Sequence, residues 1–324
     1  SERCNETLTI ASVIGREFTL SHLVALIEDV TEDRLLDVLE EALGARVIEE
    51  MPQTVGRYQF THALIQETLS EELSTTRKVR LHARIAEALE ALYGADAEAH
   101  AAELSFHFGE AASLLGSHKL IAYSTVAGEK ALANYAYEDA LTHFQRALSA
   151  KEGQLMDTET ANLRFGMGRA HAAMFQRRQA FDNLTRAFDY YAESGNVALA
   201  VAAAEFDIAT PSIRIPGTAQ IIARALTMIP DDSHEAGRLL SRYGGILAST
   251  DYEGAQQALG RAIAIARREG DVPLEVQTLT YAADVHARNL HWQDSVDNGL
   301  RAIELATGDE PPYSEVISRY RTAL

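Results

Sequence analysis

Three groups of side chains in this 324-residue chain have types and spacings that could do chemistry. His100, Glu103 and His107 stand three and four residues apart, so one helical face would bring two imidazoles and a carboxylate together. That is not the spacing of a helical two-histidine zinc motif, and without a third, separated ligand the pattern predicts no metal site. His62 ends an extended run and precedes a helix. There an imidazole can bond an anion, cap the helix or pack beneath the strands. Arg77, Lys78, Arg80, His82 and Arg84 crowd one helix, and the plain reading of that cationic face is solvation or ion pairing. Nothing matches GxxxxGK followed by Ser or Thr, so the chain has neither a glycine cradle nor a lysine for nucleotide phosphates. No GxSxG elbow and no Ser/His/Asp arrangement is visible. We expect no catalytic residues and no bound cofactor in this chain.

Composition narrows the field. A formal charge of −18 disfavours non-specific binding to nucleic acid or anionic lipid. The single cysteine, Cys4, rules out an internal disulfide and a thiolate zinc site. With no apolar run of about 18 residues and no signal-like opening, neither a membrane span nor secretion is supported, and a cytoplasmic setting is expected. Ser1 in place of methionine and a tail, PPYSEVISRYRTAL, that reads as half a hairpin suggest a piece of a longer protein.

The elements that would position these groups are helices. Ala147, Ala187, Ala225, Ala262 and Ala302 recur at separations of 40, 38, 37 and 40 residues. Seven residues before them stand Ala140, Ala180, Thr218, Ala255 and Ser295; three before stand Phe144, Leu184, Ile222, Leu259 and Gly299. Small, bulky, small is a packing code: helix axes approach to about 8–10 Å only where side chains are small, and one large apolar residue fills the groove between them. Gly128 and Gly168, nineteen residues before the first two alanines, would allow the same approach on the preceding helix. The pattern resembles the tetratricopeptide repeat, whose usual period is about 34 residues; here helices or turns are longer. Pro211 and Pro216 should end one helix of the third repeat and delay the next.

Residues 1–95 read differently. An apolar helix around Leu8 to Ile14 is followed by one from Ser21 to Ile27. A third is capped by Thr31, lined by Leu35, Leu36, Leu39 and Leu43, and ended by Gly44. Extended runs Arg46 to Met51 and Arg57 to Phe60 flank the turn PQTVG, and helices from about His62 and from Arg77 to Tyr93 follow. The expected fold is mainly all-α: an N-terminal winged helix with a short two-stranded wing over 1–95, a linker helix over 96–117, and a right-handed α-solenoid of about five tetratricopeptide-like hairpins over 118–324. The winged helix is a poor DNA reader. It carries nine Lys or Arg against seventeen Asp or Glu, and its third helix, TEDRLLDVLEEAL, has five acids and one arginine where base readout needs donors.

The stretches ASVIGREF, FTHALIQETL, LHARIAEALE and AGEKALANYAYEDALTHFQRAL resemble the region that follows the nucleotide-binding domain in STAND signal-transduction ATPases, among them large LuxR-type regulators related to the maltose regulator and adenylate-cyclase-associated ATPases. That resemblance implies an order of ATPase, winged helix and repeats, and ATP or ADP with magnesium bound by the parent protein rather than by this chain. In such proteins a winged-helix histidine bonds the β-phosphate of ADP. Phe60, His62, Gln66 and Glu67 reproduce its setting, so the resemblance makes His62 the nucleotide-sensing residue. The implied partners are an upstream nucleotide-binding domain on the same polypeptide and an unknown protein or small-molecule signal on the repeats, with self-association of the activated parent and no membrane. The repeat register places Asn162, Arg169, Asp207, Gln277, Asp284 and Arg288 along the inner helices as a candidate ligand or partner groove. Two rivals stay open: a free-standing interaction scaffold and a DNA-binding regulator.

Overall fold

A computed structural model describes residues 1–27, 30–52, 54–206 and 215–306. The described residues are mostly helical with one small antiparallel sheet, and they fall into two compact units, Ser1–Gly153 and Gln154–Leu324.

The first unit opens with α1 (Glu2–Ile14), β1 (Glu17–Thr19), α2 (Leu20–Leu26) and α3 (Glu32–Gly44), then β2 (Ile48–Glu50) and β3 (Arg57–Phe60). The sheet has three strands in the order β1-β3-β2 rather than the two expected, with Phe18 opposite Tyr58 and Ile48 opposite Phe60. Phe18, Ile48 and Phe60 are fully buried against Leu23, Leu35 and Leu39. Two helix ends also differ from expectation. Thr31 occupies the N-cap of α3 without a side-chain bond, and Gly44 stays helical while Arg46 takes the left-handed turn at φ 56°. A side chain costs about 1–2 kcal/mol there. It is tolerated because the Arg46 and Val47 amides bond back to Leu43 and Ala42 and so close the helix end.

The chain continues through α4 (Ala63–Glu71), α5 (Thr75–Tyr93), a 3-10 segment (Gly94–His100), α6 (Ala101–Glu110) and α7 (Ala112–Leu115). The first repeat hairpin, α8 (His118–Ala133) and α9 (Tyr137–Ser149), belongs to this unit, with α8 packed on α6. The unit boundary therefore falls inside the 118–324 stretch.

Among its described residues the second unit stacks four hairpins: α10 (Thr158–Ala173) with α11 (Arg177–Glu193), α12 (Val197–Glu205) with α13 (Thr218–Leu226), α14 (His234–Leu247) with α15 (Tyr252–Glu269), and α16 (Val272–Arg288) with α17 (Trp292–Leu305). The first helices α12, α14 and α16 touch in series. All five landmark alanines have no exposed surface, and the residues seven positions before them are buried as well. The reason is steric. A Cβ on Gly128 would stand 2.6 Å from the Phe144 ring, and one on Gly168 2.6 Å from Leu184 Cγ, so glycine is what lets each bulky residue seat. Helix α12 ends at Glu205 and α13 begins only after Pro216 and Gly217; Pro211 and the tail from Pro311 lie outside the described residues.

Candidate functional site

His62 is the N-cap of α4, in an extended conformation (φ −134°, ψ 133°) that leaves β3 and enters the helix. Its imidazole makes no capping bond, and its side chain is exposed. The surrounding residues explain its position. Phe60 is fully buried and anchors the strand, while Gln66 Nε2 donates to the Ser12 carbonyl at 2.8 Å and ties α4 to α1. Glu67 and Leu64 face outward beside His62, Leu64 at 72 % exposure, and α4 buries no residue fully. Of the roles open to His62, the structure removes capping and core packing.

A second constellation was not legible in the sequence. Glu17, Phe18, Thr19, Ser21, His22, Arg57, Leu92, Tyr93, His100 and Glu103 line a cleft of about 440 Å³ within the first unit. Tyr93 Oη donates to Glu103 Oε2 at 2.7 Å and lies 3.1 Å from His22 Nε2. A phenol has one proton, so with that proton on the carboxylate contact, His22 must donate through Nε2–H, leaving Nδ1 as a buried acceptor with no partner. Burial lowers the His22 pKa more than the Glu103 charge restores it, while burial and the Glu103 contact raise that of Tyr93. Tyr93 therefore stays a protonated phenol, a clamp rather than a base, with the His100 ring stacked 3.7 Å from it. Arg57 pairs with Glu17 at 2.7 Å on the rim. His22 and Tyr93 lie 71 residues apart, and no spacing signal joins them.

The face expected to gather His100, Glu103 and His107 divides. His100 stays within 3.8 Å of Glu103, whereas His107 turns into the core and meets His82 with an Nδ1 to Nδ1 distance of 3.0 Å. Burial first, then the neighbouring His82, pushes the His107 pKa down to about 3, and burial lowers that of His82. Among the described residues no three His, Cys, Asp or Glu side chains gather as a metal requires. The basic run on α5 divides as well: His82 is buried and Arg84 bonds the Leu26 carbonyl at 2.8 Å, while Arg77 and Arg80 are exposed.

Four of the groove residues of the second unit already meet neighbours within their own hairpins. Asn162 accepts from Tyr191 Oη at 2.7 Å, and Arg169 lies over the Phe165 ring. Asp284 and Arg288 bond each other at 2.8 Å along α16, and Gln277 is half-buried. Asp207 lies outside the described residues. At the hairpin turns, Tyr252 stacks on His291 and bonds His286 at 3.0 Å, and Trp292 is exposed.

No family model matches the chain, and no curated protein matches it. Among solved structures it is similar to a Signal Transduction ATPase with Numerous Domains (STAND) protein with a tetratricopeptide repeat sensor from Pyrococcus horikoshii. Identity is 13% and the TM-score 0.45, with 100% of this chain and 52% of that one covered. The chain thus spans about half that protein's length, and a likeness this distant leaves the function to be argued from the chain's own residues. Among those described, no helix is long and apolar enough to cross a membrane.

Proposed function

We propose that this chain is the regulatory and sensory portion of a multidomain STAND-type ATPase. In this reading the N-terminal helices and sheet form a winged helix that controls the nucleotide state of a domain on the same polypeptide, and the repeats receive the signal. The observation that carries the proposal is His62: its imidazole is held outward by buried Phe60 and tethered Gln66, yet it neither caps α4 nor packs. An imidazole presented in this way can donate to a phosphate. One such charge-assisted bond is worth about 1.5–3 kcal/mol, roughly a ten- to hundredfold bias on ADP affinity. Hydrolysis itself would belong to the upstream domain, with its ATP or ADP and magnesium, because this chain lacks the phosphate loop. The acidic surface of the first 95 residues argues against direct DNA binding.

The test is ADP dissociation from the longer natural polypeptide. His62→Ala should speed release about ten- to hundredfold, while Glu67→Ala, one turn along α4, should not. Release unchanged in His62→Ala, or a natural coding sequence with no phosphate-binding loop ahead of Ser1, overturns the reading.

One observation favours the scaffold instead. Tyr135, Phe175 and Leu290, each twelve residues before a landmark alanine, take left-handed turns and are 72–78 % exposed. Left-handed bulky residues cost about 1–2 kcal/mol each; amide bonds close these helix ends as they close α3, but the side chains stay largely exposed, Tyr135 edge-on to Tyr137 and Phe175 beneath Arg177. A partner bound over these turns would give them a role. A scaffold would bind its partner equally with or without ADP.

A further inference from the structure

Every landmark alanine follows an arginine: Arg146, Arg186, Arg224, Arg261 and Arg301. Four of these five have a partner in an earlier helix or loop. Arg146 lies over the Phe106 ring, Arg224 pairs with Asp189 at 2.7 Å, Arg261 bonds the Asp231 carbonyl at 3.0 Å, and Arg301 stands 3.7 Å from Glu275. Arg186 has none among the described residues. The register shows what differs: Asp189, which serves Arg224, is two residues past its alanine, and the same position one repeat earlier is Ser149.

A second cation deepens the imbalance. Arg164 on α10 is half-buried, its Nε has no acceptor, and its one side-chain partner is Asn183 Oδ1 on α11, at 3.4 Å from Nη1. Arg186 is three residues past Asn183, one turn along the same helix face. The Arg186 charge adds to burial in lowering the Arg164 pKa. Asp182, one turn before Arg186, is exposed and forms no ion pair with it. In a chain with eighteen excess negative charges, two adjacent arginines without a carboxylate are a departure from what the composition supplies.

We propose that Arg164 and Arg186, with Asn183 between them, form a binding site for a phosphate group on the α10/α11 hairpin. The planar, multiply donating guanidinium suits tetrahedral oxyanions, and a dianion placed here supplies the counter-charge that Asp189 supplies to Arg224. The Asn183 amide holds Arg164 from one side through its carbonyl oxygen, while its Nδ2 donates to the Gln179 carbonyl at 2.9 Å, so the spacer is itself fixed. This goes beyond the nucleotide reading and does not depend on His62: it gives the repeats a ligand chemistry of their own.

The experiment is calorimetric titration of the whole chain with inorganic phosphate, against chloride at equal ionic strength, with thermal unfolding in parallel. Saturable binding of one phosphate per chain is expected, weakened about ten- to hundredfold by Arg186→Ala, the loss typical of one charged hydrogen-bonding partner. Arg164→Gln should weaken it similarly. Arg186→Lys, which keeps the charge but loses the planar fork, should retain part of it. Arg261→Ala, removing an arginine at the equivalent position of another repeat, should change nothing. Phosphoserine titrated beside phosphate assigns the source, since tighter binding of the ester points to a phosphorylated side chain and equal binding to the free ion. Absence of saturable binding, or equal affinity in the native chain and Arg186→Ala, overturns the proposal.

Discussion

The close approach of paired helices makes a prediction whose sign depends on position within one hairpin. Glycine within a helix costs about 1 kcal/mol relative to alanine, so Gly→Ala is stabilising wherever a methyl group fits. Gly260 on α15 is exposed with nothing within 4 Å of an added Cβ, and Gly260→Ala should stabilise by about 0.5–1 kcal/mol. Gly244 on α14 faces the same partner helix from the inside. Its Cβ would lie 2.5 Å from Leu259 Cγ and 3.0 Å from the Ala255 carbonyl oxygen, which is backbone and cannot rotate away. Overpacking of that kind costs about 1–3 kcal/mol and exceeds the propensity gain, so Gly244→Ala should be destabilising overall. Gly168→Ala should lie between them, because its closest contacts, at 2.6 and 2.8 Å, are to the Leu184 side chain, which can partly yield. Urea unfolding of the three variants gives the order Gly260→Ala, native, Gly168→Ala, Gly244→Ala by falling midpoint at unchanged slope. If Gly244→Ala matched the stabilisation of Gly260→Ala, the argument that small residues set the helix spacing would fail.

Two further predictions concern the first unit. His107 and His82 are neutral in the folded state with pKa values below their unfolded value of about 6.5. The unfolded chain therefore binds more protons as pH falls: stability is full above about pH 6.5 and declines toward pH 3, by up to about 1.4 kcal/mol per pH unit through His107, with His82 acting in the same direction. Urea midpoints measured across that range should fall less steeply in His107→Leu, and an unchanged acid slope would contradict the buried pair. Tyr93→Phe should destabilise by about 1–3 kcal/mol, since it leaves His22 Nε2–H and the Glu103 carboxylate without their shared partner. The deduced tautomer is open to nitrogen NMR: a proton on His22 Nδ1 rather than Nε2 would show that the Tyr93 proton points the other way.

The repeats were legible in sequence because their defining contacts are short-range and steric. Gly128 meets Phe144 and Gly168 meets Leu184 sixteen residues on, and a requirement for small side chains at fixed intervals leaves a pattern that survives in one sequence. The first unit was legible only where its elements were locally patterned, as in α3 with Leu35 and Leu39 on one buried face. Strand β1 was missed because three residues carry no periodicity, and their partner β3 lies forty residues away, with Glu17 opposite Gln59. The cleft was invisible for the same reason, since Tyr93 joins His22 and Glu103 across three elements with no shared spacing. The spacing of His100, Glu103 and His107 put them on one helical face, but a spacing of three and four does not fix which neighbour each side chain meets. His107 entered the core beside His82, and His100 stacked on Tyr93.

Periodicity helps in a second way, because it turns an exception into a measurable departure. A lone exposed arginine is ordinary on a protein surface and carries little information. Arg186 is different because four equivalent arginines in the same chain show what such a residue contacts. Their partners differ in kind, an aromatic ring, two carboxylates and a backbone carbonyl, so no single contact is imposed by the repeat. What they share is that each guanidinium has something to meet. If the missing partner of Arg186 were of no consequence, the cheapest sequence would leave a lone, well-solvated arginine there. Placing half-buried Arg164 beside it instead adds like-charge repulsion and a desolvation cost that a solvated surface would avoid, and a bound anion removes both at once.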